Sequence, residues 1–289
     1  MEDKGESAAC ALERRRPVIK LVVVVVVLIV ALAVLVRLVE PRFAFFPSAG
    51  ETPPPKEPGI EITAWSVATR DGERLQAWSL EPAAPRAVVL YFHGNGGNLS
   101  IWAPILSGVV RHGFAVVAFD YRGFGSSTGR PTEQGLYRDV EAIVERFHAL
   151  ERRPLPRVYW GRSLGTSMAA YATTVARPDG VILESGFPDA RSVARTSPVL
   201  ALLAVFSSYR FPTAAFMRRS VPQSPALVMH GDSDSVIPIA LGRALFAQIN
   251  EPKTFVTIRG GDHNDAVPPD PAYWPQVDRF IAGLDANRR

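Results

Sequence analysis

"RVYWGRSLGTSMAAYATTVA", residues 157–176, decides the fold. Its first four residues, "RVYW", are strand-like. Its last ten, "SMAAYATTVA", are rich in Ala, a strong helix former. Between them lies a G-x-S-x-G, Gly161 to Gly165, with Ser163 at a strand-to-helix turn. Small residues on either side let strand and helix approach, and a helix N-terminus presents backbone N–H groups to an anion. A second match, Gly125-Ser126-Ser127-Thr128-Gly129, begins several residues beyond its strand and is followed by Arg130-Pro131, which interrupts any helix. Ser163 is therefore the candidate nucleophile and Ser127 a loop residue. The plain alternative for Ser163 is a helix N-cap.

Outward from this turn, short and nearly continuous apolar runs recur: 87–94, 114–123, 180–186, 226–232 and 254–261. Such runs suit strands covered on both faces. Between them, 132–150 carries Leu136, Val140, Ile143, Val144 and Phe147 on one helical face, and 273–284 repeats the pattern with Val277, Phe280, Ile281 and Leu284. Two alternating segments, 60–69 and 74–81, flank Asp71-Gly72 and predict a hairpin. The pattern predicts an α/β domain over 60–289 with a mostly parallel sheet, helices on both faces and the hairpin as an antiparallel edge. Ligands of such sheets sit at the carboxyl ends of the strands, where every candidate motif of this chain falls.

A serine hydroxyl needs a base, and the base an orienting acid. Of five histidines, His112 and His148 fall on predicted helices, and His93 and His230 precede Gly at strand ends. His263, in "RGGDHND" (259–265) after the last strand, is placed as a base. "MHGDSDSVIP" (229–238) offers Asp234 as the acid, with Asp232 as the alternative and Asp265 behind it. The oxyanion of acyl transfer needs two preset N–H donors. The backbone of Leu164 supplies one, and the glycine-rich loop "HGNGGNLS" (93–100) the other, through the main chain of Asn95. No G-K-[ST] follows that loop, so a phosphate cradle is a weak reading of it. Asn98-Leu99-Ser100 matches a glycosylation sequon, read as chance because a glycan there would crowd the site.

Together, "YFHGNGGN", "DYRGFGSSTG", "GRSLG", "MHGDSDSVIP" and "GGDHND", in that order over residues 60–286, resemble the abhydrolase-domain serine hydrolases. The resemblance is to the small, minimally lidded branch, with bacterial serine-aminopeptidase-like proteins and eukaryotic depalmitoylases and lysophospholipid or monoacylglycerol lipases. It implies the α/β-hydrolase fold, a Ser163–Asp234–His263 triad, oxyanion donors at Asn95 and Leu164, and no metal or organic cofactor. It is highly specific for fold and triad and poorly specific for substrate: ester, thioester and peptide bonds all remain in range. One departure is Asp262, where a small residue is usual before the histidine. Residues 187–225 lie where lids are inserted and predict either a small lid-like insertion or a core helix.

The N-terminal part reads differently. After a short tail, 1–17, residues 18–40 contain 16 uninterrupted apolar residues, Leu21 to Val36, flanked by Lys20 and Arg37. With their flanks, ~20 residues at ~1.5 Å rise cross a ~30 Å hydrocarbon layer. The run exceeds the ~7–15 residues of a signal-peptide core, which favours an uncleaved transmembrane anchor. Arg14, Arg15, Arg16 and Lys20 precede it, so the expected topology is single-pass, with the N-terminus cytoplasmic and the domain extracytoplasmic. Residues 41–59, rich in Pro and Glu, read as a stalk. The net charge of +4 owes much to the terminal arginines and comes with no aromatic-interleaved basic stripe, so no nucleic-acid partner is expected. The lone Cys10 has no partner for a disulfide or metal site. The expected partners are a membrane and a small-molecule or lipid acyl ester; oligomeric state is left open.

Overall fold

The computed structural model describes residues 3–50, 53–151, 153–220 and 223–286. The chain begins with helix α1 (Asp3–Ala44), followed by a two-residue strand β1 (Phe46–Pro47), the hairpin β2 (Ile60–Ala68) and β3 (Arg74–Pro82), then β4 (Ala87–Phe92) and a two-residue β5 (Gly96–Gly97). Next come α2 (Leu99–Arg111), β6 (Phe114–Phe119), α3 (Glu133–Leu150), β7 (Arg157–Arg162), α4 (Leu164–Val175) and β8 (Gly180–Glu184). Three short helices follow, α5 (Ala190–Ala194), α6 (Pro198–Leu203) and α7 (Thr213–Arg219), then β9 (Ala226–Gly231), α8 (Ile239–Gln248), β10 (Lys253–Ile258) and α9 (Tyr273–Ala286). Within α1, Pro17–Arg42 is long and apolar enough to be a candidate membrane span, and its side chains from Pro17 to Leu32 are exposed.

Eight strands form one sheet in the order β10-β9-β8-β7-β4-β6-β3-β2. From β6 to β10 all neighbours are parallel, while β3 pairs antiparallel with both β6 and β2. The period of two along β4 sorts the core. Val88, Leu90 and Phe92 face one apolar layer with Val140, Ile143, Met168 and Leu245. Ala87, Val89 and Tyr91 face the other with Leu106, Val110, Val277 and Ile281. Every residue of β4, β8 and β9 is buried, which is why these strands read as continuous apolar runs.

Two segments differ from the sequence reading. Residues 41–59 read as a stalk, yet α1 continues to Ala44 and later parts lie on the domain: Phe46 and Pro47 pair with Gly96 and Gly97, and Glu57 accepts from Arg111 at 2.7 Å and from Ser107. Composition reports the absence of helical or strand periodicity; it does not report a surface on which extended backbone pairs. Residues 187–225 divide between both expectations. Phe216 and Met217 of α7 are buried in the layer that holds α4, whereas Val199 and Leu202 of α6 and Val205 just after it are 68–69% exposed.

Candidate active site

Ser163 occupies the turn between β7 and α4 with φ 57° and ψ −122°. A non-glycine residue rarely adopts a positive φ, so its surroundings must hold it there. Its N–H donates to Glu184 O at 2.9 Å, and its carbonyl accepts from Thr166 N–H at 3.0 Å and Thr166 Oγ1 at 2.7 Å. The flanking glycines are required by close approach. A Cβ on Gly161 would strike the carbonyl of Gly165, and a Cβ on Gly165 would strike the carbonyl of Phe92 at the end of β4.

The loops after β9 and β10 bring the other two candidates to this serine. His263 Nε2 lies 3.0 Å from Ser163 Oγ, and His263 Nδ1 lies 2.9 and 3.1 Å from the two carboxylate oxygens of Asp234. Asp234 in turn accepts from the N–H groups of Val236 and Ile237 at 3.0 and 2.7 Å, and His230 Nε2 lies 3.3 Å from its Oδ2. Burial pulls the Asp234 carboxyl upward, but the hydrogen bonds from His230, His263 and Ile237 outweigh it and hold it well below the usual carboxylate range. An ionised Asp234 favours the imidazole proton on Nδ1, which leaves the Nε2 lone pair aimed at Ser163. The alternative acids are engaged elsewhere. Asp232 Oδ1 accepts from Gly260 N–H at 2.7 Å, and Asp265 Oδ2 from Asp262 N–H at 2.8 Å. Asp262 accepts from Ser235 N–H at 2.8 Å.

The glycine-rich loop after β4 runs beside the serine, since a Cβ on Gly94 would lie 3.4 Å from Ser163 Cβ. Asn95 sits on this loop and Leu164 opens α4; neither backbone N–H donates to another group among the described residues. Ser127 lies elsewhere: its hydroxyl donates to Asp120 O at 2.8 Å and accepts from Gln76 N–H at 2.9 Å, tying a loop to β3. His93 is buried beside Asp120 at 3.5 Å; burial lowers its pKa to about 4, against the pull of the Gly94 carbonyl, and raises that of Asp120 to about 7. His112 stacks on Trp274 and His148 bonds Tyr159, so both are packing residues. Asn98 is buried and caps α2, its Oδ1 accepting from Ser100 N–H at 3.2 Å.

Sequence reasoning overlooked Arg162, the second residue of the G-x-S-x-G. Its side chain runs under the site, and Nη2 donates to the backbone carbonyls of His263 and Asp265, both at 2.8 Å. Glu184 lies 3.8 Å from its Nε and also accepts from Trp160 Nε1 at 3.0 Å and Tyr273 Oη at 2.9 Å. An arginine at the end of the apolar run "VYWGR" is the signal that was available, because a buried charge needs a partner.

This fold and this constellation define an α/β hydrolase. The chain belongs to the α/β hydrolases, and the serine aminopeptidase S33 family matches residues 83–224. An uncharacterised protein of Mycobacterium tuberculosis is 32% identical over 231 residues, covering 78% of this chain and 80% of that one. The lysophosphatidylserine lipase ABHD12 of Macaca fascicularis is 30% identical over 190 residues, covering 57% of this chain and 46% of the lipase. Among solved structures, the Pyrococcus furiosus esterase Pf2001 shares the fold with a TM-score of 0.64 at 17% identity, over 83% of this chain and 98% of that one.

Proposed function

We propose that the chain is a membrane-anchored serine hydrolase that cleaves carboxylic ester-type bonds through an acyl-enzyme on Ser163. The observation that carries this is the unbroken relay from Asp234 through His263 to Ser163 Oγ, with bonds of 2.9 and 3.0 Å. His263 Nε2 takes the hydroxyl proton as Ser163 Oγ attacks the ester carbonyl. The backbone N–H groups of Asn95 and Leu164 receive the oxyanion, and collapse of the tetrahedral species expels the alcohol, protonated by His263. Water then repeats the sequence and releases the acid. Arg162 holds the main chain of the histidine loop and acts as a positioning residue.

Acyl chains of membrane origin are the favoured substrate class. Support comes from the candidate membrane span, from the exposed aliphatic side chains around α6, and from the lipase named among the relatives. The cations that precede the apolar run support an N-terminus in the cytoplasm and a domain across the membrane, which protease accessibility in sealed vesicles tests. Fluorophosphonate labelling tests the nucleophile. The wild-type chain is labelled and Ser163→Ala is not; a folded wild type with neither labelling nor esterase activity refutes catalysis and leaves a binding protein on a hydrolase scaffold. A series of p-nitrophenyl esters set beside thioesters and aminoacyl amides tests the bond. Preference for amides would make the chain a peptidase on the same triad, and preference for acyl thioesters a thioesterase.

A further inference from the structure

The loop that carries Asn95 is held from outside the domain by the segment joining α1 to the sheet. Phe46 N–H donates to Asn95 O at 2.8 Å, and Ser48 N–H to Gly97 O at 2.9 Å. The side-chain amides reply, Asn95 Nδ2 donating to Ala44 O and Asn98 Nδ2 to Ser48 O, both at 3.2 Å. Further on, Gly125 N–H donates to Ser48 O at 2.9 Å and Gly50 N–H to Gly125 O at 3.0 Å. The Phe45 side chain, 2% exposed, packs edge-on against Tyr209 and Phe211 at centroid distances of 5.5 and 6.2 Å. Glu40, at the end of α1, accepts from Ser208 N–H at 3.1 Å and from the Ser207 hydroxyl. One short stretch thus ties together the loop after β4, the loop after β6 and the segment that carries α6.

The loop needs such a hold. His93-Gly94-Asn95-Gly96-Gly97 contains three glycines, Gly97 at φ +80°, and glycine has the widest choice of backbone states. A donor for a developing oxyanion contributes only when its direction is set beforehand. The bonds to Asn95 engage its carbonyl and its side-chain amide and leave its backbone N–H for the site. Phe46 presents its N–H to the loop and its ring outward, so backbone and side chain are separable there.

We infer that Phe45–Gly50 is a positioning strap: the segment next to the membrane anchor presets the Asn95 oxyanion loop, and so sets kcat as well as location. The inference rests on the acyl-transfer function proposed above. Its test uses the full chain in detergent with p-nitrophenyl butyrate, a soluble ester for which membrane access is irrelevant. Phe46→Pro removes the N–H that holds Asn95, whereas Phe46→Ala keeps it. Phe45→Ala leaves all N–H groups in place and vacates the slot between Tyr209 and Phe211.

The expected result, per folded molecule, is a kcat lowered about tenfold in Phe46→Pro, part of the 10²–10³ that one oxyanion donor supplies. KM stays within about twofold, as for an interaction made only in the transition state. Phe46→Ala keeps the wild-type kcat, and Phe45→Ala loses severalfold; Phe45→Ala decides should Phe46→Pro not fold. Hydrogen exchange of the 93–98 amides is the second readout and needs no turnover. It speeds up in Phe46→Pro and Phe45→Ala and not in Phe46→Ala. Unchanged kcat in a catalytically active chain, equal losses in Phe46→Ala and Phe46→Pro, or unchanged exchange in the 93–98 loop overturns the strap. A folded wild type without turnover refutes the proposed function instead, and the exchange measurement still decides the strap.

Discussion

Replacing Arg162 with Met removes a charge from beneath the site while keeping an unbranched stem. Two charged hydrogen bonds to the carbonyls of His263 and Asp265 disappear, and Glu184 loses its cation. Bonds to a charged group contribute about 1.5–3 kcal/mol each, and breaking a buried pair costs about 3–5 kcal/mol. These figures describe overlapping contacts and do not add. Glu184 keeps Trp160 Nε1 and Tyr273 Oη as donors, which places the cost at the lower end, about 3 kcal/mol. For a domain of this size that lowers Tm by about 6–12 °C. The effect on rate has a different origin: the backbone of His263 is no longer held, and a misplacement of ~1 Å lowers kcat about 10²-fold. The double variant Arg162→Met/Glu184→Gln separates the two. Without the unpaired carboxylate it regains most of the Tm, yet kcat stays low because nothing replaces the guanidinium on the histidine loop. Calorimetry and p-nitrophenyl ester kinetics on the three proteins provide the test. If the double variant recovers kcat together with Tm, Arg162 serves only as the counter-ion of Glu184 and its positioning role is refuted.

Other consequences are open to direct measurement. Gly165→Ala, whose new methyl would strike the Phe92 carbonyl, costs at least about 3 kcal/mol in denaturant unfolding; a loss below 1 kcal/mol would mean the elbow tolerates a side chain. Asp120 has its pKa raised by burial to about 7, so its contribution to stability is full below about pH 4 and is lost as pH rises through 7. His93, lowered to about 4, works the other way: its contribution is full above about pH 6.5 and lost as pH falls through 4. Above about pH 6.5 the His93 effect is complete and no longer opposes that of Asp120, so Asp120→Asn should lessen the decline in Tm between about pH 6.5 and 8, to which Asp139, raised by burial to about 6, also contributes; an identical decline in variant and wild type would count against it. Changing Val199, Leu202 and Val205 together to Ser should lower activity on esters in phospholipid vesicles while sparing p-nitrophenyl butyrate, and equal loss on both would argue that these side chains do not meet lipid.

Much of the domain was legible because its local signals agree with one another. β4, β8 and β9 are buried along their whole length, so their apolar runs are unmistakable, and Asp71-Gly72 closes its hairpin with Gly72 at φ +89°. Ser163 could be preferred to Ser127 from the sequence because only one of the two serines has a strand before it and a helix after it. Asp234 could be preferred to Asp232, but only the structure shows why: Asp232 turns to Gly260 N–H while Asp234 faces His263. The loop chemistry was less legible. Nothing in "PRFAFFPSAG" announces an extended segment paired with glycines about fifty residues away, and composition misleads for the short helices: the wholly aliphatic α6 exposes Val199 and Leu202, while α7, with two arginines, buries Phe216 and Met217.

The sequence by itself determined the fold class, the apolar N-terminal run and the chain order of serine, acid and histidine. Each of these is carried by local patterning: periodicity, turn residues, and the requirement that an elbow be flanked by glycine. The tertiary structure alone decided that Arg162 grips the histidine loop across about a hundred residues, and that the segment after α1 grips the loop of Asn95. Those contacts join backbone groups to distant partners. A backbone N–H or C=O is the same at every position, so its identity as donor or acceptor leaves no mark in the sequence until the chain is folded.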